Sequence, residues 1–372
     1  MIDDNYISCI LGNASAYSST ARKKLIQSFI QAGIALPGEG TSLLDNVVVL
    51  GNVDEKNRLI HCMKESGEAI KIVEEYEFIK AYKYSYVYGY IGEVNAETIQ
   101  QLIIDKVLVQ FDVKMLDIFD PIFENNNKTA SIIEQGNEIK IKVSFPYVFY
   151  DNSNTDNRKE RKFIVLAVIH KDTNLIEFRY DSAPAVSYSS DFYFDKVCSV
   201  KYWLATILHI DFDTAAMEAG VDYIKDNESA VKKNNIFIIG KYLEFGNGSS
   251  AELKVGKSDS MVLPLIGELK NLLSEYSEEF DQVPNFKNVF ENLIQEWDQN
   301  SQTPCLYLMW KENDKEYCQV KIDLKHLAKD GCRLLFYAKN HIDGEGMSHV
   351  VNYIGSCQAA NQSTATDGRG NA

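Results

Sequence analysis

Glu138–Tyr150 reads EIKIKVSFPYVFY, and the strict alternation of polar and apolar residues over its first eight positions is the pattern of a β-strand. Runs at 163–170 and 175–180 have the same character, and HKDTN supplies a turn between them, so the three predict an antiparallel meander. Pro146 removes a backbone donor within the first run, which predicts an edge position or a bulge there. The polar segment DNSNTDNRKERK separates the first two runs. Its Arg158, Lys159, Arg161 and Lys162 form one basic cluster, expected at an exposed hairpin tip.

Toward the N-terminus, 20–33 places Leu25, Phe29 and Ile30 on one helical stripe and closes with Gly33. A strand at 46–50, a short helix at 54–65, an extended region through Ile91, a helix at 96–104 and a strand at 107–115 complete that section. Within the extended region Tyr82, Tyr84, Tyr86, Tyr88 and Tyr90 recur at period two, so all five are expected on one face of a strand. Such a ladder could stack on a ligand or partner. Neighbouring tyrosines also stabilise a sheet by packing on one another, and that structural reading is the one adopted.

Toward the C-terminus, helices are expected from about 196 to 208 and from 214 to 225, then strands at 236–245 and 252–255 joined by Gly246-Asn247-Gly248. Two amphipathic helices follow, one carrying Val262, Leu265, Leu269, Leu272, Tyr276 and Phe280, the other Phe286, Val289, Phe290, Leu293 and Trp297, parted by Val283-Pro284. Strands at 305–310, 317–324 and 333–338 end the folded part. The expected organisation is an α+β fold of mixed or antiparallel sheets with helices packed on them, in two or three domains. Its sections are 1–122, a β-rich 132–190, 191–342, and a mostly disordered tail at 343–372.

The 45% hydrophobic and 24% charged composition is that of a soluble globular chain. No apolar run approaches the roughly 18 residues of a membrane helix, and the opening MIDD is acidic where a signal peptide is basic, which predicts a cytoplasmic protein without a membrane partner. Seven scattered cysteines, an odd number, suit buried thiols in a reducing compartment. Seven arginines against thirty-one lysines suggest the coding bias of an AT-rich bacterium. A net charge of −15 repels phosphate backbones, so nucleic acid could be held only through the basic tip.

Chemical motifs are weak. Residues 251–258, AELKVGKS, fit a relaxed phosphate-loop pattern, but ELKV alternates like a strand and lacks the glycine that the wrap requires. An acid and an acid–x–lysine on adjacent strands can hold a metal for nuclease chemistry. The chain offers Asp112-Val-Lys114, Glu138-Ile-Lys140 and Glu252-Leu-Lys254, with Asp112 and Lys114 best placed, although 53 acids among 372 residues make several such triplets by chance. His209-Ile-Asp211-Phe-Asp213 and the stretch from His341 to His349 collect possible ligands, read here as a helix cap and a solvated turn. No metal or cofactor is therefore expected. With 21 tyrosines and no catalytic signature, the function expected is recognition or regulation through a protein partner in a multicomponent bacterial system, such as phage defence. The alternative is a metal-dependent nuclease using Asp112 and Lys114.

Overall fold

A strand that alternates as 138–145 does ordinarily leaves one face of its sheet to water. In the computed structural model the corresponding sheet has both faces buried. The structure describes residues 4–40, 47–112, 121–124, 128–150, 158–183, 191–244, 250–254, 269, 272–300, 302–312, 315–324, 331–337 and 342–367. The fold is α+β with a mixed parallel and antiparallel sheet. Two compact units emerge, one of Met1–Ser85, Gly89–Asp213 and Ile342–Asn352, the other of Tyr86–Tyr88, Thr214–His341 and Tyr353–Ala372. The first two sections expected from the sequence thus fall largely in one unit.

The first unit contains α1 (Asp4–Ala16), α2 (Ser19–Gln31), β1 (Ala35–Leu36), β2 (Val48–Val49), α3 (Glu55–Glu65), α4 (Gly67–Ile79), both ends of β3 (Tyr84–Ile91), whose Tyr86–Tyr88 are assigned to the second unit, α5 (Ala96–Ile104), β4 (Leu108–Gln110), β5 (Ala130–Gln135), β6 (Glu138–Tyr150), β7 (Arg158–His170), β8 (Leu175–Tyr180), α6 (Phe192–Leu208) and β9 (Asp211–Asp213). Ser18, Asp54 and Asn95 cap α2, α3 and α5 by accepting from the backbone N–H three residues on. Helix α4 was expected to be extended; its Ile70, Ile72 and Val73 resemble a strand locally, but Ile70, Val73, Glu74, Glu77 and Phe78 are buried at helical spacing. The sheet runs β3-β8-β7-β6-β5-β4, with β4 parallel to β5, and β5 through β8 form the antiparallel meander. Pro146 falls where β5 no longer pairs with β6, so its missing donor breaks no ladder on that side.

In the second unit α7 (Ala216–Asp226) and α8 (Glu228–Lys233) precede β10 (Ile236–Glu244) and β11 (Ser250–Lys254), which pair antiparallel. After α9 (Ser277–Asp281) and α10 (Pro284–Asn300) come β12 (Gln302–Glu312), β13 (Lys315–Asp323) and β14 (Cys332–Tyr337), giving the order β11-β10-β12-β13-β14. Much of the first amphipathic helix expected near 262–280, and Lys257 and Ser258 of the phosphate-loop pattern, lie outside the described residues; Ala251 to Lys254 form strand β11. The expectation of a disordered tail from 343 is corrected by α11 (Gly344–Asp367). Asp343 accepts from the Gly346 N–H at 3.0 Å to start it, and Val350, Val351, Ile354 and Cys357 are buried along one side.

Candidate functional site

Directly opposed residues of antiparallel strands share a face. The register sets Glu138 opposite His170, Lys140 opposite Val168, Lys142 opposite Leu166 and Pro146 opposite Lys162, while Val168 opposes Glu177 and Leu166 opposes Arg179. One face of β6, β7 and β8 therefore carries Glu138, Lys140, Lys142, Lys162, His170, Glu177 and Arg179. Lys140, Lys142, Lys162, His170, Glu177 and Arg179 among them are buried. Helices α1 and α4 and the first turns of α11 supply the groups that meet them. The opposite face carries Ile139, Val143, Phe145, Phe163 and Phe178 and packs on α6, where Phe163 meets Phe192 at 5.1 Å and Phe123 meets Trp203 at 5.1 Å. Gly12 lets α1 lie close on β7, since a Cβ there would sit 2.6 Å from the Glu160 carbonyl oxygen.

Glu74 of α4, 3% exposed, is the centre of one cluster. Its carboxylate accepts from Lys142 Nζ at 2.5 Å, Lys162 Nζ at 2.5 Å and the Tyr6 hydroxyl at 3.1 Å. Lys142 also lies 4.7 Å from the Phe78 ring centroid and Lys162 lies 5.0 Å from that of Tyr6, so each ammonium is held by charge and by a ring face. One turn on, Glu77 accepts from Lys80 at 2.7 Å, from the Tyr82 hydroxyl at 3.1 Å and from the Tyr17 hydroxyl. Burial pulls the Lys80 ammonium toward neutrality, but Glu77 and then Asp181, 3.1 Å away, outweigh it and its pKa is raised. Burial first and Glu77 second raise the Tyr17 and Tyr82 phenols, so both remain donors.

The third cluster runs along the sheet. Glu138 lies 3.3 Å from Lys140 Nζ and 3.4 Å from His170 Nδ1, and His170 Nε2 lies 3.5 Å from Glu177 Oε2. Arg179 binds that same Glu177 oxygen at 2.7 Å, the Ser348 hydroxyl at 2.7 Å and the Gly344 carbonyl at 2.9 Å. Among the described residues neither imidazole nitrogen makes a well-aligned hydrogen bond, so His170 acts on the two carboxylates through charge. Burial opposes ionisation of Glu138, yet His170, Ser348 and Lys140 bring its pKa down to about 2. Its stabilising effect is present above the unfolded value of 4.5 and is lost as pH falls from there toward 2. An acid titration of the melting temperature should show that loss, on the order of 2 kcal/mol, and Glu138→Gln should flatten it.

The residues singled out from the sequence fall as follows. Lys162 of the basic cluster is no exposed tip: it faces inward to Glu74, its own N–H donates to Asn13 Oδ1, and Asn13 Nδ2 donates to its carbonyl. Arg161 is half-buried, and Arg158 and Lys159 belong to β7 opposite Tyr150 and Phe149. Tyr84, Tyr86, Tyr88 and Tyr90 lie in β3, and all but half-buried Tyr84 are buried. Tyr82 leaves the ladder, because the chain bends at Lys83, whose N–H is bound by Asp181, and the Tyr82 hydroxyl reaches Glu77 on the charged side, while Tyr84 stacks on Tyr180 at 5.4 Å. Asp112 is half-buried just past β4; Lys114 lies outside the described residues. Glu138 and Lys140 pair with each other, and Glu252 accepts from the Tyr307 hydroxyl. His209 ends α6 in a left-handed conformation and Asp211–Asp213 pairs with β3, so that stretch is neither cap nor ligand set. Asp343, read as part of a solvated turn, caps α11.

Among the described residues no three His, Cys, Asp or Glu side chains converge as a metal site, and no helix is long and apolar enough to cross a membrane. The fold and this interior define an α+β protein whose meander faces its helices with charges paired in the interior. No protein-family model matches the chain, and no curated protein matches it.

A second feature lies in the other unit. Helix α10 presents Phe286, Val289 and Leu293 to solvent, with Phe286 58% and Val289 65% exposed, and Tyr276 and Val283, which flank α9, are exposed as well. Phe280, Phe286 and Phe290 cluster in a triangle, with ring centroids 5.6, 6.1 and 6.2 Å apart. Glu278, Glu279, Asp281 and Glu291 of the same two helices are exposed, and Lys287 pairs with Asp281 at 2.6 Å. The chemistry available there is non-covalent: an apolar stripe on helices that also expose acids.

Proposed function

We propose that the chain works by recognising a protein partner, with α10 as the contacting element. The observation that carries the reading is the exposed series Phe286, Val289 and Leu293, spaced i, i+3 and i+7 as the anchors of a helix that lies in a partner's groove. Single exposed apolar residues are commonplace, but this series is continuous along one helix and reinforced by the phenylalanine stack. The exposed acids of the same helices suit a partner whose apolar groove has a basic rim. A setting inside a bacterial cell, within an assembly of several components, accords with the lysine-rich, cysteine-bearing composition.

The test is Val289→Asp. An exposed side chain away from any packed contact should change stability by no more than about 0.5 kcal/mol. A photo-crosslinker at position 289 identifies the contacting protein, and the purified pair is then titrated: wild type should bind and Val289→Asp should lose at least about tenfold in affinity, since a charge is forced into an apolar groove. A large loss of stability in Val289→Asp, or unchanged affinity, would overturn the proposal. Sedimentation of the chain alone separates a second copy from a different partner. Metal-dependent cleavage of DNA or RNA that vanished in Asp112→Ala would instead place the chain with the nucleases.

A further inference from the structure

His170 lies between two carboxylates, with Nδ1 facing Glu138 and Nε2 facing Glu177, at 3.4 and 3.5 Å, and is 1% exposed. Only an imidazolium presents a proton to both; either neutral tautomer must turn a lone pair toward one carboxylate in a site from which water is excluded. The charged groups facing the ring are Glu138 and Lys140 from β6 and Glu177 and Arg179 from β8. From α11 come Ser348, which binds Arg179, and exposed Glu345, which accepts from Gln135 Nε2 at 3.5 Å, while His349 is turned to solvent; Gln135 of β5 in turn accepts from Lys140 at 3.0 Å.

Arg179 is the link onward. Glu177 holds its guanidinium, which grips the Gly344 carbonyl and the Ser348 hydroxyl, the first turn of α11. The seat is close: a Cβ on Gly344 would lie 2.9 Å from the Ile79 carbonyl oxygen and 3.2 Å from Arg179 Nη1. Met347 adds its sulfur as acceptor for the Tyr82 N–H at 3.1 Å. Residues 342–352 are thus fastened to the charged face through Arg179, which Glu177 holds at 2.7 Å, and His170 Nε2 lies 3.5 Å from that same Glu177 oxygen.

We propose that His170 is a pH-responsive latch: as the imidazolium it pins Glu177 and, through Arg179, seats the start of α11, and on losing its proton it releases residues 342–352 from the β6–β8 face. Burial alone would discharge the ring, but Glu138 and Glu177 overcome it and raise its pKa above the ordinary 6.5. A folded-state pKa above the unfolded one means that the stabilisation is complete below the unfolded value and is lost as pH rises through the folded value. The latch is closed below the ordinary 6.5 and opens as pH rises through the raised folded-state value.

Hydrogen-exchange protection factors, corrected for intrinsic rate, test this on the intact chain. Amides of 342–352 in wild type should lose about tenfold or more protection as His170 deprotonates, followed by the NMR shift of its imidazole, because one charge-assisted contact to a buried group is withdrawn. Amides of α5, elsewhere in the same unit, should hold steady. His170→Gln should show the low protection at every pH. Protection in wild type that ignores the titration of His170, a loss spread equally over α5, or an unchanged pH response in His170→Gln would overturn the latch. Should His170→Gln not fold, the coincidence of the wild-type imidazole and amide titrations decides alone.

Discussion

Glu74→Ala should be the most damaging single substitution in the first unit, lowering its stability by about 3–5 kcal/mol, because it leaves two buried ammonium groups without their counter-charge. Lys142 and Lys162 lose a partner at 2.5 Å each, and neither can turn to water: Lys142 is 0% exposed and Lys162 6%. Chemical denaturation followed by far-UV circular dichroism measures the effect. The triple change Glu74→Leu, Lys142→Met and Lys162→Met should recover much of it, since apolar residues of similar volume replace a buried ionic cluster at little cost. A loss below about 1 kcal/mol in Glu74→Ala would show that these charges are solvated and the interior is not what the register implies.

Tyr86→Ala should cost about 2–4 kcal/mol, since removing a large buried ring forfeits its transfer energy and leaves a cavity. Tyr86 is 2% exposed and Tyr88 is 0% exposed, in a strand whose Ser85 and Val87 are buried as well, so the strand has no side on which the ring could be spared. The same denaturation curves read it. Native-like stability combined with loss of a bound protein would instead make the ladder a contact surface.

Periodicity located most of the elements. The stripe of Leu25 and Phe29 is α2, the predicted boundaries of 96–104 coincide with α5, and EIKIKVSF lies in β6. Helix α4 was hidden because Ile70, Ile72 and Val73 favour strands locally, whereas the helix is held by tertiary burial of Ala69, Val73 and Phe78. The start of α11 escaped because GEGMS is poor in helix formers; Asp343 capping and the seat on Arg179 compensate. Of the candidate site, Glu138, Lys140 and Lys162 had been singled out, as a chance triplet and as part of a surface tip. Glu74, His170, Glu177 and Arg179 had not; polar residues at alternate positions in neighbouring strands could have found the last three, whereas Glu74 sits in helix α4, where no strand pattern applies.

The amino-acid order by itself determined which side chains share a face within each strand, Glu138, Lys140 and Lys142 in β6, Lys162 and His170 in β7, Glu177 and Arg179 in β8, and the register then sets the three groups on one side. The order also determined that α10 has an apolar stripe. Whether each face meets water or protein was decided only by the tertiary structure. Alternation records the sorting of polar from apolar residues, and a charged face is equally consistent with solvent or with a second layer that brings its own counter-charges. Here α4 brings Glu74 to Lys142 and Lys162 and α11 brings Ser348 to Arg179, contacts across 68 to 169 residues of chain that no local pattern encodes.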